Sequence, residues 1–450
     1  MSAIMIALVW ALSCSGSVAE EASTASTEEI RLAPDLEGDP ESHVVYRIEI
    51  RGKIITPTDN GPQEWDLASD GVFAFDQRQH RNTLIGPPSI RAVRVFSEAG
   101  TVTTVGRDFR TSSMLPASHR RIHVYGEDSQ LVNLSPSVRL TRAHVDLLQL
   151  PFDPLICREL LPGRTLSSET EEWNTESWVL PMLVGLEAAA TQKLTCQVER
   201  MSETLAIIRF TGSADGAVNG SASQIQVKGQ LNLDRTSGRI VEGSARLEEK
   251  RSLGSVSPGL DVKASVSWKQ TAIADGVDVT GDPADSGPDP DQLLLTLVTP
   301  WRLLLLHDRR WHVITNTSEE LMLRMLHQGA LVGQCNISRE ESAKAGSFTG
   351  EADFLSRVSR SVADVKGTIK GSSVTDFQDG WRRHSVLTEQ PAAEKTIHRN
   401  YHLCTSESGD QFVLVFMHEK SDAATFADQE QQFLKSLTLR PVRQAVPLPR

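Results

Sequence analysis

The feature that most constrains this chain is a stretch of polar–apolar alternation between residues 204 and 268. In 223–233, Ile225, Val227, Leu231 and Leu233 fall on one face of an extended strand. Asp234-Arg235-Thr236-Ser237-Gly238 then turns the chain, Gly238 being suited to a positive φ. Residues 239–250 return with Val241, Ala245 and Leu247 in phase, 262–268 adds another alternating strand, and 204–210 is a short buried one. Residues 43–51 alternate in the same way. Sequential strands with one polar face and short turns specify an antiparallel meander. Its apolar face needs a covering layer, and 141–150 and 178–190 are the helices expected to supply it. Residues 40–274 are thus expected to form a curved sheet covered by helix.

Residues 275–292 (DGVDVTGDPADSGPDPDQ) are rich in Pro, Gly and Asp, lack periodicity and read as a linker. Beyond it, 293–440 alternates element types. Residues 311–315 form a strand. Thr317-Ser318-Glu319-Glu320 matches a capping box, predicting a short helix with Leu321 and Met325 on one face. A strand at 330–338 precedes an amphipathic helix at 351–365, with Phe354, Val358, Val362 and Val365 in step. Strands at 384–389, 397–404 and 411–418 follow, with turns at Ser408-Gly409-Asp410 and around Pro391. A closing helix at 422–437 turns Phe426, Phe433 and Leu437 inward. The order β-α-β-α-β-β-β-α describes an α/β sandwich with a mainly antiparallel sheet, so the whole chain is expected in the α+β class. Residues 441–450 read as a Pro/Arg tail.

On Trp311-His312-Val313, the GALVGQCNIS strand, the Phe354 helix, Tyr401-His402-Leu403, Phe412 to Phe416 and the final helix, residues 296–440 resemble the PsbP-like class. Its founding member is an extrinsic protein of the photosynthetic oxygen-evolving complex. The resemblance implies an accessory, protein-contacting module and carries over no catalytic residue. The N-terminal region is similar to a recurrent type of uncharacterised exported bacterial β-rich protein. Cys157 to Gly163 (CRELLPG), the strand from Leu205 and the 231–240 hairpin carry that similarity, which implies fold and location only.

Residues 3–12 (AIMIALVWAL) have the length of a signal-peptide core, and Ser17-Val18-Ala19 supplies small residues for cleavage after Ala19. The positive charge that usually precedes such a core is missing, since no Lys or Arg occurs before Arg31. Residues 1–19 are therefore expected as a signal peptide and 20–39 as a disordered lead. A second reading uses Cys14: Ala11-Leu12-Ser13-Cys14 is a loose lipobox, which would place lipid on Cys14. The remaining cysteines divide evenly. Cys157 with Cys196 and Cys335 with Cys404 could each form one disulfide in an exported protein. The alternative is free thiols packed as small hydrophobes.

Composition excludes more than it suggests. Against 58 acidic residues stand 46 basic ones, a net charge of -12, which argues against nucleic-acid binding. No apolar stretch is long enough to span a bilayer as a helix. Four local clusters carry groups capable of chemistry. His119 and His123 stand four apart without a third ligand; on a strand that spacing is about 13 Å, too far for one ion. His307-Asp308-Arg309-Arg310-Trp311-His312 could present two guanidiniums to an anion, but reads better as a polar turn with Trp311 as core anchor. The Gly-rich segment 212–221 lacks the Lys of a phosphate-binding loop and reads as a hairpin loop. Asp275, Asp278, Asp282, Asp285, Asp289 and Asp291 miss the Ca²⁺-loop spacing. No catalytic, cofactor or metal residue is nominated. The expectation is an exported, extracytoplasmic, non-catalytic binding or accessory protein of the bacterial envelope with a protein partner. A carrier or sensor of a lipid-like ligand held by the N-terminal sheet is the alternative, and an enzyme with an unrecognised site the third.

Overall fold

The computed structural model describes residues 30–32, 41–80, 84–168, 170–273, 278–280, 283, 287–346 and 350–440. The expected signal peptide, Cys14 and the expected 441–450 tail lie outside the described residues, as do most of the expected 20–39 lead and eight residues of the expected 275–292 linker.

The larger sheet grows from one alternation repeated many times. Its strands are β2 (Glu41–Thr58), β3 (Gly61–Gln79), β4 (Arg91–Val105), β5 (Phe109–Met114), β6 (Arg121–Glu127) and β7 (Gln130–Leu134). After an insertion that includes the short β8 (Thr165–Leu166) come β9 (Glu172–Asn174), β10 (Ala188–Met201), β11 (Leu205–Val218), β12 (Ser221–Asp234), β13 (Arg239–Arg251) and β14 (Gly259–Thr271). All are antiparallel, in the order β7-β6-β4-β3-β2-β14-β13-β12-β11-β10-β9, with β5 beside β4. The first long strand therefore lies against the last, His43 opposite Thr271 and Ile55 opposite Gly259. A small ribbon, β1 (Ile30–Arg31) with β8 (Thr165–Leu166), stands apart, and Leu32 is fully buried, so part of the expected lead belongs to the core.

The expected layer of covering helices is corrected. Strand makes up 58% of the structure and helix 15%, so the chain is mostly β rather than α+β. The covering segment holds only short helices: α1 (Arg142–Leu147), α2 (Pro154–Cys157) and α3 (Val179–Val184). Thr141 caps α1 by accepting from the His144 amide. The physical reason for their shortness is punctuation. Pro151 stands just beyond the first and bars its extension, Pro154 restarts the chain as α2, and Gly185 in the left-handed region ends α3, whose following residues join β10. Leu148, Phe152, Ile156, Leu160, Leu180 and Leu183 nonetheless fill the sheet's apolar face, in one core with Tyr46, Phe73, Phe210 and Trp268.

The Gly-rich segment 212–221 is strand rather than loop. β11 runs to Val218, and only Asn219 and Gly220 turn, both with positive φ as a two-residue hairpin requires. Gly212 and Gly216 sit where a Cβ would strike the Lys193 and Ala188 carbonyls. On β13 a register shift beside Asn232 and Leu233 buries Ile240 and leaves Val241 partly exposed.

A short helix α4 (Pro290–Leu293) leads to β15 (Leu295–Val298) and β16 (Leu303–His307). The second sheet follows: β17 (Trp311–Asn316), β18 (Glu320–His327) and β19 (Ala330–Glu340), then helix α5 (Glu351–Asp364), β20 (Thr368–Gln378), β21 (Trp381–Ala392), β22 (Lys395–Ser406) and β23 (Gln411–Glu419). Helix α6 (Ala423–Ser436) and β24 (Thr438–Leu439) end it, β24 pairing with β16. The order is β17-β18-β19-β23-β22-β21-β20, again antiparallel throughout. Phe354, Val358 and Val362 of α5 pack on Val386, Tyr401 and Leu403. Phe426 and Phe433 of α6 pack on Cys404, Leu414 and Phe416, whose side chains leave the opposite face. The helix expected after Thr317 is a strand. Thr317 accepts from the Glu319 and Glu320 amides in a tight turn, and Leu321, Leu323 and Met325 are all fully buried at period two.

The two sheets meet along the 293–310 segment. The Thr296 amide donates to the Leu140 carbonyl at 2.9 Å and Leu295 joins the larger core. Two pieces of the expected linker are held as well: Val279 is buried, and Asp289 caps α4.

Candidate functional site

The solvent face of β10–β13 carries a row of hollows. The central one, about 470 Å³, lies over Lys193, Thr195, Thr211, Gln226, Lys228 and Arg246. It continues toward Arg209, Gln230 and Ser244 in a second of about 730 Å³. Toward the other end of the strands a third, about 870 Å³, is floored by Ala188, Ala190, Gly216 and Ala217. Register explains the charge here. Lys228 stands directly opposite Arg246, with Thr211 and Ser265 as their outer neighbours. Like charges in that position repel. On the same face Lys263 pairs with Glu248, which also lines the central hollow, at 3.1 Å, and Lys269 with Glu242 at 3.4 Å. Among the described residues neither Lys228 nor Arg246 has a carboxylate within ion-pair distance.

A second arrangement lies under α6. Ser385 on β21 bonds His402 Nδ1 at 2.8 Å, and His402 Nε2 meets Glu430 of α6 at 3.1 Å. Asn400 donates to the other Glu430 oxygen at 2.6 Å. Burial alone would raise the Glu430 pKa, but the His402 bond and charge, aided by Asn400 and His418, hold it below the ordinary carboxylate range. The order hydroxyl–imidazole–carboxylate is that of an activated nucleophile. Here it ties α6 to the sheet: His402 and Glu430 are both buried, and Gln429 beside them receives the Trp311 indole N–H. No sequence pattern links these groups, because they come from two strands and a helix.

The clusters weighed in the sequence separate. His119 stacks edge-on against His144 at 4.7 Å, whereas His123 sits on β6, half-buried. Among the described residues no three His, Cys, Asp or Glu side chains are placed to hold a metal ion. Arg309 and Arg310 are both engaged. Arg309 donates to the carbonyls of Leu293 and Asn133, and Arg310 to Asp308. Burial, foremost, lowers the Arg309 pKa to about 10. This segment is the joint between the sheets, where Arg142 also donates to the Arg309 carbonyl at 2.8 Å.

His307 and His312 give that joint a pH dependence. Burial, with smaller opposing contributions from the Asp308 carbonyl and charge, lowers His307 to about 4; burial and the Arg142 charge lower His312 to about 3. Below pH 6.5 the unfolded chain binds protons that the folded chain refuses, so stability falls as pH drops from about 6.5 toward 4. By pH 5 the expected loss from His307 alone is roughly 2 kcal/mol. Urea midpoints at pH 7 and pH 5 check this, with His307→Gln expected to reduce the difference by about half, the remainder belonging to His312. Equal midpoints in the native chain at the two pH values would refute it.

The expected disulfides are not formed. Cys157, Cys196, Cys335 and Cys404 are buried free thiols. Cys335 faces Phe416, while Cys404 faces Phe412 on the other side of β23. They are thus two strands and four residues apart, about 16 Å by strand spacing and rise, far beyond a bridge. Cys157 donates to the Phe152 carbonyl in the covering layer, and Cys196 lies on β10. Burial pushes all four pKa values up, those of Cys196 and Cys404 to about 12.

No family model matches the chain, and no curated protein matches it. Among solved structures it is similar to cyanobacterial PsbP (CyanoP) from Synechocystis sp. PCC 6803, at 12% identity over 33% of this chain and 92% of that one, with a TM-score of 0.27. It is also similar to lipovitellin, at 8% identity over 54% of this chain and 26% of that one, with a TM-score of 0.30. DynF from the dynemicin biosynthesis pathway of Micromonospora chersina matches at 8% identity, covering 56% and 88%, with a TM-score of 0.16. At these TM-scores the likenesses carry no argument about function. No helix among the described residues is long and apolar enough to cross a membrane.

Proposed function

We propose that this is an exported, non-catalytic binding or accessory protein of the bacterial envelope that acts through protein contacts. Its contact surface is the hollowed face of β10–β13, and its partner presents acidic side chains there. The observation that carries this reading is the opposed, uncompensated pair Lys228 and Arg246, set among the hydroxyls of Thr195, Thr211 and Ser265. An extended carboxylate-rich segment laid across the hollows would relieve their repulsion. The second sheet, with α5 and α6 on its two faces, would serve as a PsbP-like accessory module. The lipid-carrier alternative is less favoured, because the chain's own Leu148, Phe152, Ile156 and Leu180 occupy the apolar face such a ligand needs.

The test is direct binding. An Asp/Glu-rich peptide should bind the full chain in a salt-sensitive way, and its Asn/Gln counterpart should not. K228Q/R246Q should abolish that binding while raising stability by about 0.2–1 kcal/mol, since a repulsive pair is removed. Equal binding of both peptides, or binding untouched by the double variant, would remove this face from consideration.

A further inference from the structure

The two large sheets end in four strands, and three of them are short: β7 has 5 residues, β9 has 3 and β17 has 6. Short edges are the usual protection against unwanted pairing. The fourth, β20, has 11 residues and, among the described residues, is paired with β21 alone. It is exposed along most of its length, with Ile369 at 41% and Val374 at 45%, and Val365 and Leu387 are exposed beside it.

We propose that β20 pairs with β20 of a second copy of this chain, in antiparallel register about a two-fold axis through Ser373. Three observations select this occupant. First, register shifts against β21 occur between Ile369 and Gly371 and between Thr375 and Gln378, leaving a regular ladder from Gly371 to Thr375 centred on Ser373. A regular run centred on one residue can oppose itself, which a two-fold interface demands. Second, Lys370 and Asp376 flank that ladder symmetrically about Ser373, so the two-fold axis brings Lys370 of one copy toward Asp376 of the other, twice. Lys370 already meets Glu389 at 2.9 Å, and Asp376 meets Arg382, so each end becomes an alternating run of opposite charges. Third, Ser372 of one copy faces Val374 of the other on the α5 side, which brings both exposed valines under cover. A lysine on an edge commonly deters pairing, but with Asp376 at the symmetric position it becomes complementary to its own copy. The result is one continuous sheet through two molecules, independent of the β10–β13 surface.

Sedimentation velocity of the full chain between about 1 and 100 µM should show a reversible monomer–dimer equilibrium. Val374→Lys, at an exposed position, should weaken it by about tenfold or more, with a thermal melt unchanged at concentrations where both chains are monomeric. Ser373→Cys should cross-link to a covalent dimer under mild oxidation, since facing strand residues lie about 4.5–5.5 Å apart in Cα. Thr236→Cys, in the exposed turn between β12 and β13, is the control and should not. A native chain that stays monomeric at the highest concentration overturns the proposal. So does a dimer indifferent to Val374→Lys, or a Ser373→Cys variant that cross-links no faster than the control.

Discussion

Replacing Arg94 by leucine is expected to destabilise the larger unit by about 3–5 kcal/mol, the range for removing one member of a buried ion pair. Arg94 on β4 and Asp153 ahead of α2 are both about 1% exposed. The guanidinium donates to both Asp153 oxygens, at 2.8 and 2.5 Å, and its Nε donates to Gln77 at 2.9 Å. It also lies over the Phe75 ring, 4.6 Å from the centroid. Asp153 in turn accepts from the Leu155 amide and so starts α2. Leucine would leave a buried carboxylate facing apolar groups. Arg94→Leu should therefore cost more than Arg94→Leu combined with Asp153→Asn, in which the stranded charge is gone but the cap acceptor remains. Urea unfolding at constant m reads both values. A single variant within 1 kcal/mol of the native chain would show that the pair is better solvated than its burial implies.

Trp311→Ala is the second large effect, expected at about 3–5 kcal/mol. The indole is fully buried in the second sheet's core, with Phe433 at 4.9 Å and Phe426 at 5.7 Å, both edge-on. Its N–H donates to Gln429 at 3.0 Å. All three neighbours belong to α6, so the loss falls on the helix docking. Trp311→Phe keeps most of the volume and gives up the hydrogen bond, and should cost far less. Hydrogen exchange should show the α6 amides losing protection first in the alanine variant. Uniform loss across both sheets would instead mean that the two units unfold together.

What could be read in advance followed solvent asymmetry. β12, β13 and β14 alternate because one face meets water and the other a core, and their limits were legible to within a few residues. Trp311 announced itself as an anchor by size. β20 has water along its edge and no apolar face of its own, so TIKGSSVTDFQ carried no period to find. Leu321 and Met325 stand four apart, a spacing that suits a helix and a strand equally. Leu323 between them decides for the strand, against the cap-like Thr317 and Glu320. The covering layer departs from expectation because its apolar content favours helix, while Pro151, Pro154 and Gly185 allow only one or two turns at a time. The Lys228–Arg246 opposition depends on the pairing register of two strands, which no single strand's pattern contains. Ser385, His402 and Glu430 meet only through tertiary packing.

The contact between β2 and β14 has a kinetic meaning. Its partners are about 200 residues apart in sequence, so the sheet is two meanders closed by one late, long-range pairing. If the chain folds from its N-terminus, β2 to β7 form a half-sheet whose β2 flank, 18 residues long, waits for β14. During that interval the nascent protein is most exposed to mispairing with other chains, and a holding chaperone would be of most use.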